Sequence, residues 1–472
     1  MGSSHSRGAD AAENPPLPRH AHRRLRDVVR VCILVLLVAA PLAIGSVQRE
    51  AYVPLLVVAI GTGLVSWARG QYARSRGDDV PRVPGRRLLL ALHLVVLLQL
   101  LPLPAGVVKV VSPGSHRFHT ASPGGAERTS MTITASPTLT RRGLMFLFGM
   151  TLLYGTAFRE FREHRWRRRL GWALVVTGTV ATVVGLVQQA SANPTTIYGR
   201  WRPRYDYAVF GPYVNRSHYG GYMVMVIPIA AALCVEAARR LRRSWSRPWW
   251  LALGSPTASS FLIRLSLAVL VAVGPFVTTS RAAMVAAVVG LLTFSVAASR
   301  RSVGAGILVI VALAALSAVW VDWDRTAAVF KGRGLGADRL GLWRDQSRLI
   351  PDFPLFGVGL NALGVVYPRY QTFERYAGWP QTHNEYFQAL TDTGVVGAAL
   401  VYALLVLLFR TAWRASRHSL FSAGIFASLV ASATTNLVDF NWQIPATCAT
   451  FVALAGLAMS AGRDLDPTEA PT

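Results

Sequence analysis

The stretch richest in chemistry is 382–397, Thr-His-Asn-Glu-Tyr-Phe-Gln-Ala-Leu-Thr-Asp-Thr-Gly-Val-Val-Gly. It sets His383 and Asn384 where a long polar segment gives way to an apolar run. Histidine titrates near neutral pH, so at a water–lipid boundary it can take a proton from a reacting hydroxyl. It can equally cap the helix that follows, and spacing alone leaves both readings open. Glu385 would point to another side of such a helix, so it is a weaker base candidate, as is Glu374. Gly394 and Gly397, three residues apart, share a helical face and predict close approach of a neighbouring helix.

Anion-binding chemistry comes from arginine. The chain has 49 basic and 23 acidic residues, a net charge of +26, and all its basic residues except Lys109 and Lys331 are Arg. The planar guanidinium fork suits phosphate oxygens. Arg281, in the run Ser-Arg-Ala-Ala-Met at 280–284, stands at the edge of an apolar block. An arginine there is costly unless paired, which makes it a functional candidate, or else it snorkels to the headgroups. Arg264, in the same hairpin, fits snorkelling better. Arg333, Arg339, Arg344 and Arg348 precede His383 in the polar segment, and Arg200, Arg202, Arg204 and Arg216 lie among aromatics just before His218. Metal chemistry has little to build on: Asp322-Trp-Asp324 is either a Mg²⁺ pair or a span cap paired with Arg325. Cys32, Cys234 and Cys448 are scattered thiols suited to packing. Neither a metal nor an organic cofactor is expected.

These residues need a membrane frame. Of 472 residues, 52% are hydrophobic and only 15% charged, against roughly 25% charged in a soluble domain. The apolar residues fall in blocks of about 20, enough to cross ~30 Å of hydrocarbon. Disorder, fibrous repeats and a secreted disulfide scaffold are excluded, and the basic balance reads as orientation signal rather than nucleic-acid binding. The blocks predict an all-α integral membrane protein of about twelve spans, at 28–47, 51–67, 88–111, 142–158, 170–189, 218–238, 258–279, 282–298, 302–321, 385–408, 419–438 and 445–461. Arg-rich connections alternate along this series, which predicts cytoplasmic termini. Residues 1–27 read as a disordered cytoplasmic tail, 28–189 as spans one to five, 190–462 as a catalytic membrane domain and 463–472 as a second tail. Outside, 112–140 reads as a flexible loop, and 322–382 as a large, partly helical loop between spans nine and ten. The basic residues of 190–217 and 322–382 run against the orientation trend, so an anion is expected to meet them.

His-Asn, nine residues, Gly, two residues, Gly resembles the signature of the bacterial O-antigen ligase and O-antigen polymerase family of lipid-linked glycan transferases. The Ser280-Arg281-Ala-Ala-Met284 run is similar to that family's Ser-Arg element. Arg339-Leu-Gly-Leu-Trp343, with 352–361 after it, resembles the start of its large periplasmic loop. The 210–222 segment, with Asn215-Arg216-Ser217-His218, is similar to an Asn-Arg-Asn-His element, with Ser217 in place of the second Asn. The resemblance covers roughly 205–445; the first five spans share only hydrophobicity with it.

The resemblance implies metal-independent, inverting transfer of a glycan from an undecaprenyl-diphosphate carrier to a hydroxyl, at the periplasmic face of the bacterial inner membrane. The acceptor would be another glycan, a lipid A core or a protein side chain. His383 would take the acceptor proton, while Arg281 and Arg339 hold the diphosphate. Arg216, His218, Arg344, Asn384 and Arg204 would bind substrate, Arg344 being the rival of Arg339. A transporter or flippase of an anionic lipid-linked saccharide is the competing class. It should show mid-span charges and an internal repeat, whereas His93 is the one evident mid-span ionisable residue.

Overall fold

The computed structural model describes residues 19–122, 124–203, 208–243, 254–298, 334–372 and 378–463. The chain there is mostly helical. The first helices are α1 (Arg19–Leu42), α2 (Arg49–Ser75) and α3 (Arg86–Leu100), then the short α4 (Ala105–Val111) and α5 (Pro113–Thr120). Next come α6 (Pro137–Glu160), α7 (His164–Ala190), α8 (Arg216–Arg243), α9 (Pro256–Val277) and α10 (Arg281–Ala297). The series ends with α11 (Gly334–Ser347), α12 (Glu385–Ser416), α13 (Leu420–Thr435) and α14 (Pro445–Arg463). Helices are what hydrocarbon requires, because every backbone N–H and C=O must be satisfied within the segment. Among the described residues six helices (α2, α7, α8, α9, α12 and α14) are long and apolar enough to cross a membrane, and α10 and α13 are shorter apolar helices. The expected span at 302–321 lies outside the described residues.

The bundle is built round α8 and α14. In their most apolar windows 78% of α8 and 89% of α14 is buried, against 22% of α9 and α12, whose outer faces are left for lipid. Helix α8 packs against α9, α10 and α13, and α14 against α6 and α12. Small residues let these backbones approach, as in a lipid-embedded bundle. A methyl group added at Gly424 would lie 2.8 Å from Ala232 of α8, and one at Gly456 would lie 2.7 Å from Ala157 of α6. At one end of the bundle Arg30, 1% exposed, donates to the Glu160 carbonyl at 2.6 Å and to the Glu163 carboxylate at 2.7 Å, while Arg69 and Ser66 close on the Glu160 carboxylate.

Two expectations about the N-terminal half change. The span at 88–111 does not run through: α3 ends at Leu100, where Pro102 and Pro104 deny the helix its next N–H donors. Residues 112–140 are packed rather than flexible. Strand β1 (Leu103–Pro104) pairs antiparallel with β2 (Ser130–Met131). The His119 ring bonds the carbonyls of Thr132 and Thr134. Beyond β2, Ala135 N–H donates to the Val358 carbonyl at 2.9 Å and Thr140 Oγ1 to the Leu360 carbonyl at 3.0 Å. With Leu342, Phe353, Val358 and Tyr367, Ala135 forms a second, smaller apolar core outside the bundle. This segment is a buttress for the loop before His383.

Candidate active site

The turn at the head of α12 is fixed from both sides. Asn384 is the cap: its Oδ1 accepts from the backbone N–H groups of Tyr386 and Phe387, both at 3.0 Å. The capping role left open for His383 therefore belongs to its neighbour. Thr382 N–H donates to Gln388 Oε1 at 2.7 Å, and Trp343 Nε1 to the Thr382 carbonyl at 2.8 Å. Held between them, His383 takes a left-handed backbone with φ +52°, a conformation that costs a non-glycine residue about 1–3 kcal/mol.

Below the turn the glycines act differently from the expected helix–helix seam. Gly394 breaks α12 with φ +64° and ψ −171°. The loop backbone passes at this break, and a methyl group on Gly394 would sit 2.3 Å from the Leu355 carbonyl carbon. The freed donors of Val395 and Val396 go to the carbonyls of Pro354 and Leu355. Gln99 Nε2 donates to the carbonyls of Phe356 and Asp392 at 2.6 and 2.8 Å. Asp392 accepts from Gln388 Nε2 and from Asn361 N–H, both at 3.0 Å. These bonds lock the large loop into α12 beneath His383.

The cationic side chains come from three other elements. Arg281 is the first residue of α10, after the N-cap Ser280. Arg216, the first residue of α8, donates to Thr279 Oγ1 at 2.8 Å and ties that helix to the turn before Arg281. Gly220 lets the two helices touch, since a methyl group there would lie 2.6 Å from Ala283. Arg339 lies on α11, within electrostatic reach of both Arg281 and Asp439. Arg344 is exposed on that helix, and five residues of helix turn it well away from Arg339. Arg204, Asp322, Asp324, Arg333 and Glu374 lie outside the described residues.

The structure adds three consecutive residues that the sequence did not single out. Asp439, 3% exposed, sits in the connection between α13 and α14 and faces His383, His218 and Arg339. The next residue, Phe440, lies between the two imidazoles, with ring centroids 4.9 Å from His218 and 4.7 Å from His383. Asn441 completes the turn: Asn436 Oδ1 accepts its N–H at 2.8 Å, and its own Oδ1 stands 3.3 Å from His218 Nδ1. A signal was there to find, an acid in a connection of only six residues between two apolar blocks.

The electrostatics follow from the burial. Burial pushes the His383 imidazole from 6.5 down to about 4; Arg339 and His218 push the same way, and Asp439 opposes them. The ring is therefore neutral at pH 7. Its Nδ1 is buried and has no hydrogen-bond partner. Burial likewise draws Arg339 below its ordinary value, with Asp439 acting against that and Arg281 with it. Neutral base, two guanidinium groups and a buried carboxylate thus meet at one end of the bundle. Such a set can accept a proton and hold a dianionic group side by side. Among the described residues no group of three or more His, Cys, Asp and Glu side chains is placed to share a metal ion.

Residues 266–402 match a family model described as O-antigen ligase. That match contains Arg281, Arg339 and the whole His-Asn signature, and it supports the resemblance to the O-antigen ligase and polymerase family. No curated protein matches the chain.

Proposed function

We propose that this protein is a lipid-linked glycan transferase of the O-antigen ligase and polymerase type. It would use an undecaprenyl-diphosphate-linked saccharide as donor and a hydroxyl as acceptor. The reading takes the chain as a protein of the bacterial inner membrane with about twelve spans, the third shortened to α3, with cytoplasmic termini and a periplasmic site. The observation that carries it is His383, a neutral imidazole whose buried Nδ1 has no partner, held in a strained turn beside Arg339 and Asp439. Strain of this kind persists only where surrounding contacts over-determine it, and it clusters at reactive sites.

In the reaction the acceptor oxygen attacks the anomeric carbon of the donor from the face opposite the diphosphate, and its proton passes to His383. The bond from that carbon to the diphosphate oxygen breaks, and the leaving lipid diphosphate keeps the electron pair. Arg281 and Arg339 stabilise the charge that develops there, a task for which fixed guanidinium groups need no reorganisation. Attack from the opposite face inverts the anomeric centre. Asp439 supports the imidazolium as it forms. No step needs a metal.

The experiment is a purified-protein assay with lipid-linked donor, candidate hydroxyl acceptors and chelator. A new glycosidic bond with inverted configuration, lost in His383→Ala, is the expected result. Movement of donor across liposomes with no new bond would replace the transferase by a flippase.

A further inference from the structure

A groove of about 730 Å³ runs between α2, α3 and α6. Trp67, Leu90, Met145 and Phe148 on its walls are exposed, so it opens sideways towards lipid. Along α3 it extends from Arg86 to Leu97 and along α6 from Arg159 to Leu144, about 16–23 Å at ~1.5 Å per residue. That is nearer the depth of one leaflet than the ~30 Å of the whole hydrocarbon layer.

The walls change character along that length. Leu97, Leu144 and Phe148 make one end apolar, whereas Arg74, Arg82, Arg86 and Arg159 gather at the other. Among the described residues no Asp or Glu lines the groove, and none of these four arginines is in an ion pair. Their neighbours differ: Arg69 is paired with Glu160 at 2.9 Å and Arg463 with Asp79 at 3.8 Å. Arg74 and Arg159 repel each other, and Glu160, the acid that acts on Arg159, is already engaged by Arg69 and Ser66. Asp78 and Asp79 line the neighbouring cavity towards α12 and α14 instead. The connection that carries Arg82 is held in place. Tyr154 of α6 donates to the Pro84 carbonyl at 3.1 Å, and a methyl group on Gly85 would lie 2.9 Å from Leu404 of α12.

We infer that this groove binds an anionic phospholipid of the leaflet at the Arg30 end, with its phosphodiester on the four arginines and an acyl chain along α3 and α6. Guanidinium forks suit phosphate oxygens, and basic pockets between spans recognise acidic head groups. The ammonium of a zwitterionic lipid would find no carboxylate in the groove, so net charge sets the preference. His93, the mid-span ionisable residue, belongs to the apolar wall: its Nδ1 donates to the Leu89 carbonyl at 2.8 Å and its ring meets Phe148 edge-on. This inference is independent of the transferase reading, because the arginines stand at the opposite end of the bundle from His383. Helix α3 begins at Arg86 and ends beside Gln99, which reaches Asp392 beneath the His383 turn. Arg414, near the far end of α12, lines the cavity that Arg74, Arg82 and Arg86 also border.

The test uses the full chain in phosphatidylcholine nanodiscs, with phosphatidylglycerol and phosphatidylcholine probes that carry the same diazirine acyl chain. The phosphatidylglycerol probe should label peptides of α2, α3 and α6. Unlabelled phosphatidylglycerol should displace it at least tenfold better than phosphatidylcholine does. Arg82→Gln combined with Arg86→Gln should bring that preference below twofold, with thermal unfolding in lipid-free detergent unchanged. Arg242→Gln combined with Arg243→Gln, exposed at the end of α8, should leave the preference intact. Equal labelling by the two probes would overturn the inference. So would equal loss in both double variants, which would mean that bulk positive charge gathers the lipid. Displacement by undecaprenyl diphosphate as effective as that by phosphatidylglycerol would also overturn it, and would assign the groove to a prenyl carrier.

Discussion

At the Arg30 end of the bundle, buried charges are cancelled by direct contact. The Glu160 carboxylate receives Ser66 at 2.7 Å and Arg69 at 2.9 Å, and Arg30 reaches Asp27, Glu163 and the Glu160 carbonyl. At the His383 end the imidazole Nδ1 is left without a partner, and Asp439 acts on His383, His218 and Arg339 together. The first arrangement cements helices α1, α2 and α6. The second keeps charge poised rather than spent. Similar residue types thus do opposite jobs: direct ion pairs join helices at one end, and a buried imidazole nitrogen is left without a partner at the other.

That contrast can be broken at either end. The largest effect should come from His383→Ala: loss of a general base lowers turnover by about 10²–10⁴-fold, while donor binding measured by tryptophan quenching stays within twofold. Transfer at the wild-type rate would dismiss His383 as the base. At the other end, Glu160→Ala should cost stability, since it takes the carboxylate from the part-buried Arg69 guanidinium and from Ser66, a loss of up to about 3 kcal/mol. Thermal unfolding should report it, and turnover per folded molecule should not change. Arg281→Ala and Arg339→Ala should each weaken donor binding by about 10–100-fold, the worth of one charge-assisted contact, whereas exposed Arg344→Ala should change it less than twofold. Equal losses at Arg339 and Arg344 would mean that bulk positive charge, not placement, holds the donor.

The smallest effect is a shift in pH. With His383 at about 4, turnover should hold from pH 8 to pH 5 and fall through about pH 4. Asp439 favours the protonated ring, so Asp439→Asn should move that limb to lower pH and slow turnover several-fold. A role in folding alone would lower the amount of active protein and leave the limb in place. Stability carries the same sign. The folded imidazole binds its proton more weakly than the ordinary value of 6.5, so its contribution is complete above that pH and drains away between 6.5 and about 4.

The sequence showed the frame and the pieces whose chemistry is local. Hydrophobic blocks marked the helices, and Arg281 stood out by residue type and position, whereas His383 and Arg339 were set apart from their alternatives by the family resemblance; the structure brings those three into one electrostatic group. Asp439 escaped notice because its importance comes from what surrounds it, residues far away in the chain. The role of Gly394 was misjudged for a related reason. Glycine spacing suggests helix contact, but only the fold reveals that a loop backbone occupies the gap. The packing of 112–140 was hidden too, because its partners, Val358 and Leu360, lie more than 200 residues downstream.

The Gln99 side chain, spliced to Phe356 across 257 residues and to Asp392 across 293, carries a consequence for biosynthesis. Spans enter the membrane one after another during translation, whereas closing so long a loop must wait for its far end. The clamp on α12 forms only after the large loop has been made, and Asp439 joins later still, with the last hairpin. A partly synthesised chain therefore has arginines but no finished site.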